Sequence, residues 1–66
     1  MTIQVNNVSH SVENSSSLSD VLKGINIQTT GIAVAINECI ITRSKWDDTI
    51  LQDQDQILII KATQGG

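Results

Sequence analysis

The chain is poor in the residues that usually carry chemistry. Its 66 residues include one cysteine (Cys39), one histidine (His10) and one tryptophan (Trp46), with no tyrosine or phenylalanine. A lone cysteine excludes an internal disulfide, argues against a cysteine-built zinc site and fits a reducing compartment. A lone histidine between Ser9 and Ser11, with no activated nucleophile in sequence, leaves neither a catalytic pair nor a metal pair, so His10 reads as a strand residue at the rim of a sheet. The four basic residues, Lys23, Arg43, Lys45 and Lys61, are scattered, and the net charge is −3. That excludes the clustered positive surface of a nucleic-acid binder and favours partners with basic surfaces. No apolar run approaches the roughly 20 residues of a membrane span, and "MTIQVNN" lacks the basic-then-apolar pattern of a signal peptide, so the expected setting is intracellular. Glycine is scarce too. Gly24 and Gly31 stand alone, and no glycine-rich run precedes Lys23 or Lys61 to cradle a phosphate.

What is present is enough for a small fold. A chain of this length makes one domain and buries only about 60% of its unfolded surface, which leaves little room for a cleft. Hydrophobic residues at 39% and charged residues at 17% give the profile of a chain that folds alone. "TIQV" and "VSHSV" alternate apolar with polar around Asn6 and Asn7, which tolerate the positive φ of a tight turn, and predict a β-hairpin. Ser17 followed by Asp20 predicts a capping box, and Leu18, Val21, Leu22 and Ile25 recur at helical spacing behind it. Gly24 makes that helix short.

After the loop "IQTTG", "IAVAI" sets Ile32, Val34 and Ile36 on one strand face and Ala33 and Ala35 on the other. Asn37 and Glu38 predict a second turn, "CIIT" a fourth strand, and "RSKWDDTIL" an irregular stretch with one helical turn around Trp46. "QILIIK" is apolar on both faces, which predicts a central last strand lying beside the first and joined to it by a long crossover. The expected class is α+β: a ββαβββ mixed sheet packed on one helix, the β-grasp or ubiquitin-like arrangement, over residues 1–62. Residues 63–66 then form a flexible tail. Half of the glycines, Gly65 and Gly66, sit at the last two positions, where they support no fold.

This order, "AVAIN" in the third strand, the lone Trp46, "DQDQILII" and the terminal Gly-Gly together resemble the sulfur carriers of thiamine biosynthesis over the whole chain. Those proteins usually carry Asp-Gly-Asp before the last strand. Here Asp53-Gln54-Asp55 stands in its place, so either the turn widens or Gln54 holds a positive φ. The resemblance implies that the chain is a carrier and not an enzyme. The Gly66 carboxylate would be adenylated by a ubiquitin-activating-like enzyme using ATP and magnesium, with no cofactor bound by the chain itself. It would then be converted to a thiocarboxylate with sulfur from a donor such as a cysteine desulfurase, and would pass that sulfur to thiazole synthase. The expected compartment is a bacterial cytoplasm or a plastid stroma, and a short acidic carrier that must enter several active sites is most simply a monomer when free.

The chemistry of the tail agrees with that implication. A carboxylate with a reference pKa of about 3.3 to 3.7 is an anion without a usable leaving group at neutral pH, so an acyl-adenylate must supply one. Gly66 has no Cβ to hinder attack, Gly65 keeps the tail thin, and Thr63 and Gln64 offer backbone bonds that add it as a strand in a partner's groove. The small subunit of molybdopterin synthase shares such a tail, but the aromatic content of 2% favours the thiamine reading. A noncovalent β-grasp interaction module indifferent to the tail is the alternative of another class.

The candidate docking patch is the outward face of the last strand, Leu58 and Ile60, together with Ala33 and Ala35. For Arg43, contact with a partner's acidic rim and ordinary surface charge are both open readings; Lys45 reads as surface charge. Trp46 reads as a core anchor and Cys39 as a small strand residue. Asp47, Asp48, Asp53 and Asp55 lack the graded spacing of a calcium loop, so they read as solvated turn residues and no metal site is expected.

Overall fold

The computed structural model describes residues 1–61 other than Gln28. Asn6 and Asn7 both take left-handed conformations (φ 50° and 68°). That pair of dihedrals twists a two-residue turn to match its strands. Strand β1 (Thr2–Val5) therefore folds back directly as β2 (Val8–Ser11), with Val5 opposite Val8 and Thr2 opposite Ser11. Asn37 and Glu38 repeat the device at φ 49° and 71°, joining β3 (Ile32–Ile36) to β4 (Cys39–Ile41).

Helix α1 (Leu18–Gly24) starts at the expected capping box. The Ser17 hydroxyl accepts from the Asp20 N–H at 3.1 Å, and the Asp20 carboxylate accepts from the Ser17 N–H at 3.2 Å. The helix stops at Gly24, and the chain reverses through Asn26 at φ 59°. Leu18, Val21 and Leu22 point into the core.

The last strand, β5 (Gln56–Lys61), is central in the sheet order β2-β1-β5-β3-β4. It runs parallel to β1 and antiparallel to β3, so the sheet is mixed and the β1-to-β5 connection carries α1 across one face. This is the expected ββαβββ β-grasp. Between helix and sheet lies a core of Ile3, Val5, Leu18, Leu22, Val34, Ile57 and their neighbours. Fully burying such a side chain is worth roughly 1.5–3 kcal/mol.

A single 3₁₀ turn (Arg43–Lys45) delivers Trp46 into this core at 6% exposure, with its indole N–H donating to the Ile41 carbonyl at 3.0 Å. Trp46 is thus the structural anchor that its solitary occurrence predicts. Gln54 does hold a positive φ, 72°. Its two flanking aspartates do more than face solvent. Asp53 accepts the Thr2 N–H at 2.8 Å, while Asp55 accepts the Gln52 N–H at 2.8 Å and the Asn37 amide at 3.1 Å. Among the described residues, no helix is long and apolar enough to cross a membrane.

Candidate docking face and tail

Alternation along β5 sends Ile57 and Ile59 to the helix side and Leu58 and Ile60 to the open side, where they are 50% and 46% exposed. The register then decides what joins them. Ala33 lies opposite Ile60, and Ala35 lies opposite Leu58 on one side and Ile40 of β4 on the other. Ile40, at 61% exposure, is the most exposed large apolar residue here and continues the patch to the sheet edge. In the sequence "CII" shows no clear alternation, and only the pairing with Ala35 identifies the face of Ile40. Ala35 itself is 4% exposed, so it forms the floor between Leu58 and Ile40 and not a contact surface of its own.

The other half of the open face is polar. Thr2 and Gln4 of β1 lie beside Ser9 and Ser11 of β2. A groove of about 180 Å³ marks the boundary, lined by Gln4, Asn6, Asn7, Ala35, Glu38 and Leu58 among others. One sheet face thus offers an apolar half next to a hydrogen-bonding half, a combination suited to a protein partner.

Arg43 is placed apart from this face. It donates to the Thr29 carbonyl, stacks over the Trp46 ring at 5.2 Å from its centroid, and borders a depression with Leu22, Lys23 and Asp47 on the helix side. Thr63, Gln64, Gly65 and Gly66 lie outside the described residues.

The remaining reactive groups are dispersed. Cys39 is exposed on edge strand β4, and His10 sits half-buried on the opposite edge strand β2. Four inter-strand spacings separate the two edges, roughly 19 Å, so no thiol–imidazole pair forms. His10 instead lines a groove of about 480 Å³ between β2 and α1, with Glu13, Asp20 and Val21. The Asp20 carboxylate there is engaged by the helix cap. Among the described residues, no three metal-ligating side chains cluster.

The architecture defines the class: a ubiquitin-like β-grasp protein. In solved structures it is similar to the crystal structure of the thiamine biosynthesis protein ThiS from Geobacter metallireducens, with a TM-score of 0.88 and 23% identity covering 100% of both chains. The solution structure of a thiamine biosynthesis protein from the same organism matches with a TM-score of 0.75 and 22% identity, over 100% of this chain and 88% of that one. In sequence, the sulfur carrier protein ThiS of Escherichia coli (strain K12) is 38% identical over 47 residues, 71% of each chain. The ThiS family model matches residues 3–66, and the chain belongs to that family.

Proposed function

We propose that this chain, a sulfur carrier of thiamine biosynthesis and not itself an enzyme, carries its sulfur on the carboxyl carbon of Gly66. The observation that carries this reading is the family match, which spans residues 3–66 and so includes Gly65 and Gly66. Loading takes two steps, both in a partner's site. The Gly66 carboxylate attacks the α-phosphate of magnesium-bound ATP, forming an acyl-adenylate and releasing pyrophosphate. A thiol reductant, itself oxidised to a disulfide, releases hydrosulfide from the persulfide of a sulfur donor such as a cysteine desulfurase, and that hydrosulfide adds to the carbonyl carbon. AMP leaves with the C–O bonding pair, and a thiocarboxylate remains for delivery to thiazole synthase.

The fold serves as the handle. β5 ends at Lys61, and the five residues beyond it have a contour of at most about 18 Å. A partner that grips the open face through Leu58, Ile60 and Ile40 therefore holds Gly66 within a bounded distance of its own catalytic groups. Thr63 and Gln64 supply main-chain bonds in the partner's channel, and Gly65 the clearance. This setting is a cytoplasm or stroma, where the free carrier is a monomer.

The test is intact mass spectrometry after incubation with ATP, magnesium, a thiamine-pathway activating enzyme and a sulfur source. The expected outcome is a mass gain equal to one oxygen replaced by sulfur, located on Gly66 and absent when Gly66 is deleted. A gain with a molybdopterin-pathway activating enzyme alone would reassign the pathway. No gain with either enzyme would leave a noncovalent binding module.

A further inference from the structure

Strand β5 has two edges with different fates. Toward β3 its pairing continues to the end of the strand, with Leu58 opposite Ala35 and Ile60 opposite Ala33. Toward β1 the ladder is parallel and short. The Gln4 N–H donates to the Asp55 carbonyl and the Asn6 N–H to the Ile57 carbonyl, each at 2.9 Å. A ladder kept in step would next offer a main-chain carbonyl to the Ile59 N–H. The chain instead turns away at Asn6, whose φ is 50°.

The Asn6 side chain fills the gap. Its Oδ1 accepts the Ile59 N–H at 2.8 Å, and its Nδ2 lies 3.4 Å from the Ile59 carbonyl. The carboxamide has the same donor and acceptor as a peptide unit, so it stands in for one further step of β1. Alternation makes Lys61 the next residue whose main-chain N–H and C=O face this outer edge. Among the described residues nothing pairs with Lys61 there.

We propose that Asn6 is a positioning residue for the tail: its carboxamide closes the outer edge of β5 at Ile59 and aligns the strand as it leaves the sheet. Lys61 thereby becomes the first position at which extended main chain of the activating partner pairs with the outgoing chain. A strand held in line before binding loses less freedom when its continuation is ordered in a channel. The role rests on the carrier reading above. Asparagine meets two demands at once, tolerance of the left-handed turn and a side-chain oxygen of peptide-like reach to accept the Ile59 N–H. Glycine satisfies the first alone; aspartate satisfies the turn and keeps the acceptor for Ile59.

That division supplies the experiment. In the free chain, Asn6→Gly keeps the turn and is expected to speed amide hydrogen exchange at Ile59 by about tenfold, the scale of one lost hydrogen bond, while Leu58 and Ile60 stay protected by β3. Asn6→Asp is expected to retain the Ile59 protection. ATP–pyrophosphate exchange with a thiamine-pathway activating enzyme is then expected to show kcat for Asn6→Gly reduced about tenfold, with KM within about twofold because the docking face is intact, and kcat restored in Asn6→Asp. Unchanged Ile59 exchange in Asn6→Gly, unchanged kcat, or a kcat lost equally in both variants would overturn the proposal. If the wild-type chain is not activated at all while the exchange pattern holds, the carrier reading fails, and the positioning role fails with it.

Discussion

Among the described residues, seven non-glycine residues hold a positive φ, and four of them are asparagines: Asn6, Asn7, Asn26 and Asn37. Asparagine enters the left-handed region more readily than other side chains because its short amide bonds locally. Two of the four do a second job. Asn6 and Asn37 each open a hairpin turn, and each lends its carboxamide to β5, Asn6 to the Ile59 N–H and Asn37 to the Gln56 N–H at 3.0 Å. The turns are legible in the sequence as Asn-Asn and Asn-Glu. The bonds to β5 are not, since they join residues 53 and 19 positions apart. Asp53 is a third example. Its bond from the Thr2 N–H, aided by the Gln54 side chain and the N-terminal charge, holds its carboxyl below the ordinary value of 3.8 despite some desolvation. A depressed folded pKa means a contribution present above the unfolded value and lost as pH falls through the folded one. Asp53→Asn is therefore expected to lower Tm near neutral pH, and thermal melts across an acid series should show the gap to wild type closing below pH 3.8.

At the scale of elements, α1 is the one that could not stand alone. Seven residues make fewer than two full turns, far short of the length at which isolated helices persist. Its stability comes from the capping box and from burying Leu18, Val21 and Leu22. The Leu18 N–H also donates to the Thr49 carbonyl at 2.8 Å, which ties the helix start to the stretch before β5. Ser17 is itself buried, so a lost cap bond there is not replaced easily by water. Ser17→Ala is expected to cost about 1 kcal/mol. In a domain of this size that corresponds to a fall of roughly 4–8 °C in Tm, measurable by calorimetry or urea unfolding with an unchanged m-value. The helix was readable because its signals are local: a serine, an aspartate three residues on, then apolar spacing and a glycine. The central place of β5 was readable for a different reason, since a strand apolar on both faces needs neighbours on either side.

At the scale of the molecule, the two sides of the sheet differ in what they carry. Its helix side holds the core and Trp46, and its open side carries Leu58, Ile60 and Ile40 over a floor of Ala33 and Ala35. Exposed apolar residues grouped in this way on a small protein make this side the candidate docking face. Leu58→Asp and Ile40→Asp are each expected to leave the fold within about 0.5 kcal/mol of wild type, because neither side chain is buried. Each is expected to reduce kcat/KM for activation by about tenfold or more, the loss typical of a central interface residue. Arg43→Ala is expected to do the reverse. Its stacking on Trp46 is worth about 0.5–1 kcal/mol of stability, and activation should be unaffected, as a parallel melt and pyrophosphate-exchange assay would show.

Local sequence sets the elements: two asparagine turns, a capped short helix, an alternating third strand and a doubly apolar last strand, followed by the Gly65-Gly66 pair on which the proposed loading chemistry rests. Each is written in neighbouring residues, where backbone preference and period-two or helical spacing act directly. Long-range pairing sets which residues share a surface. It brought Ile40 to Leu58 through Ala35, sank Ala35 between them, carried Arg43 to the far side with Trp46, and set the Asn6 carboxamide against Ile59. These outcomes follow from strand register. Register is fixed by pairing between segments far apart in the chain, and a slip of one residue would turn every side chain of a strand to the other face.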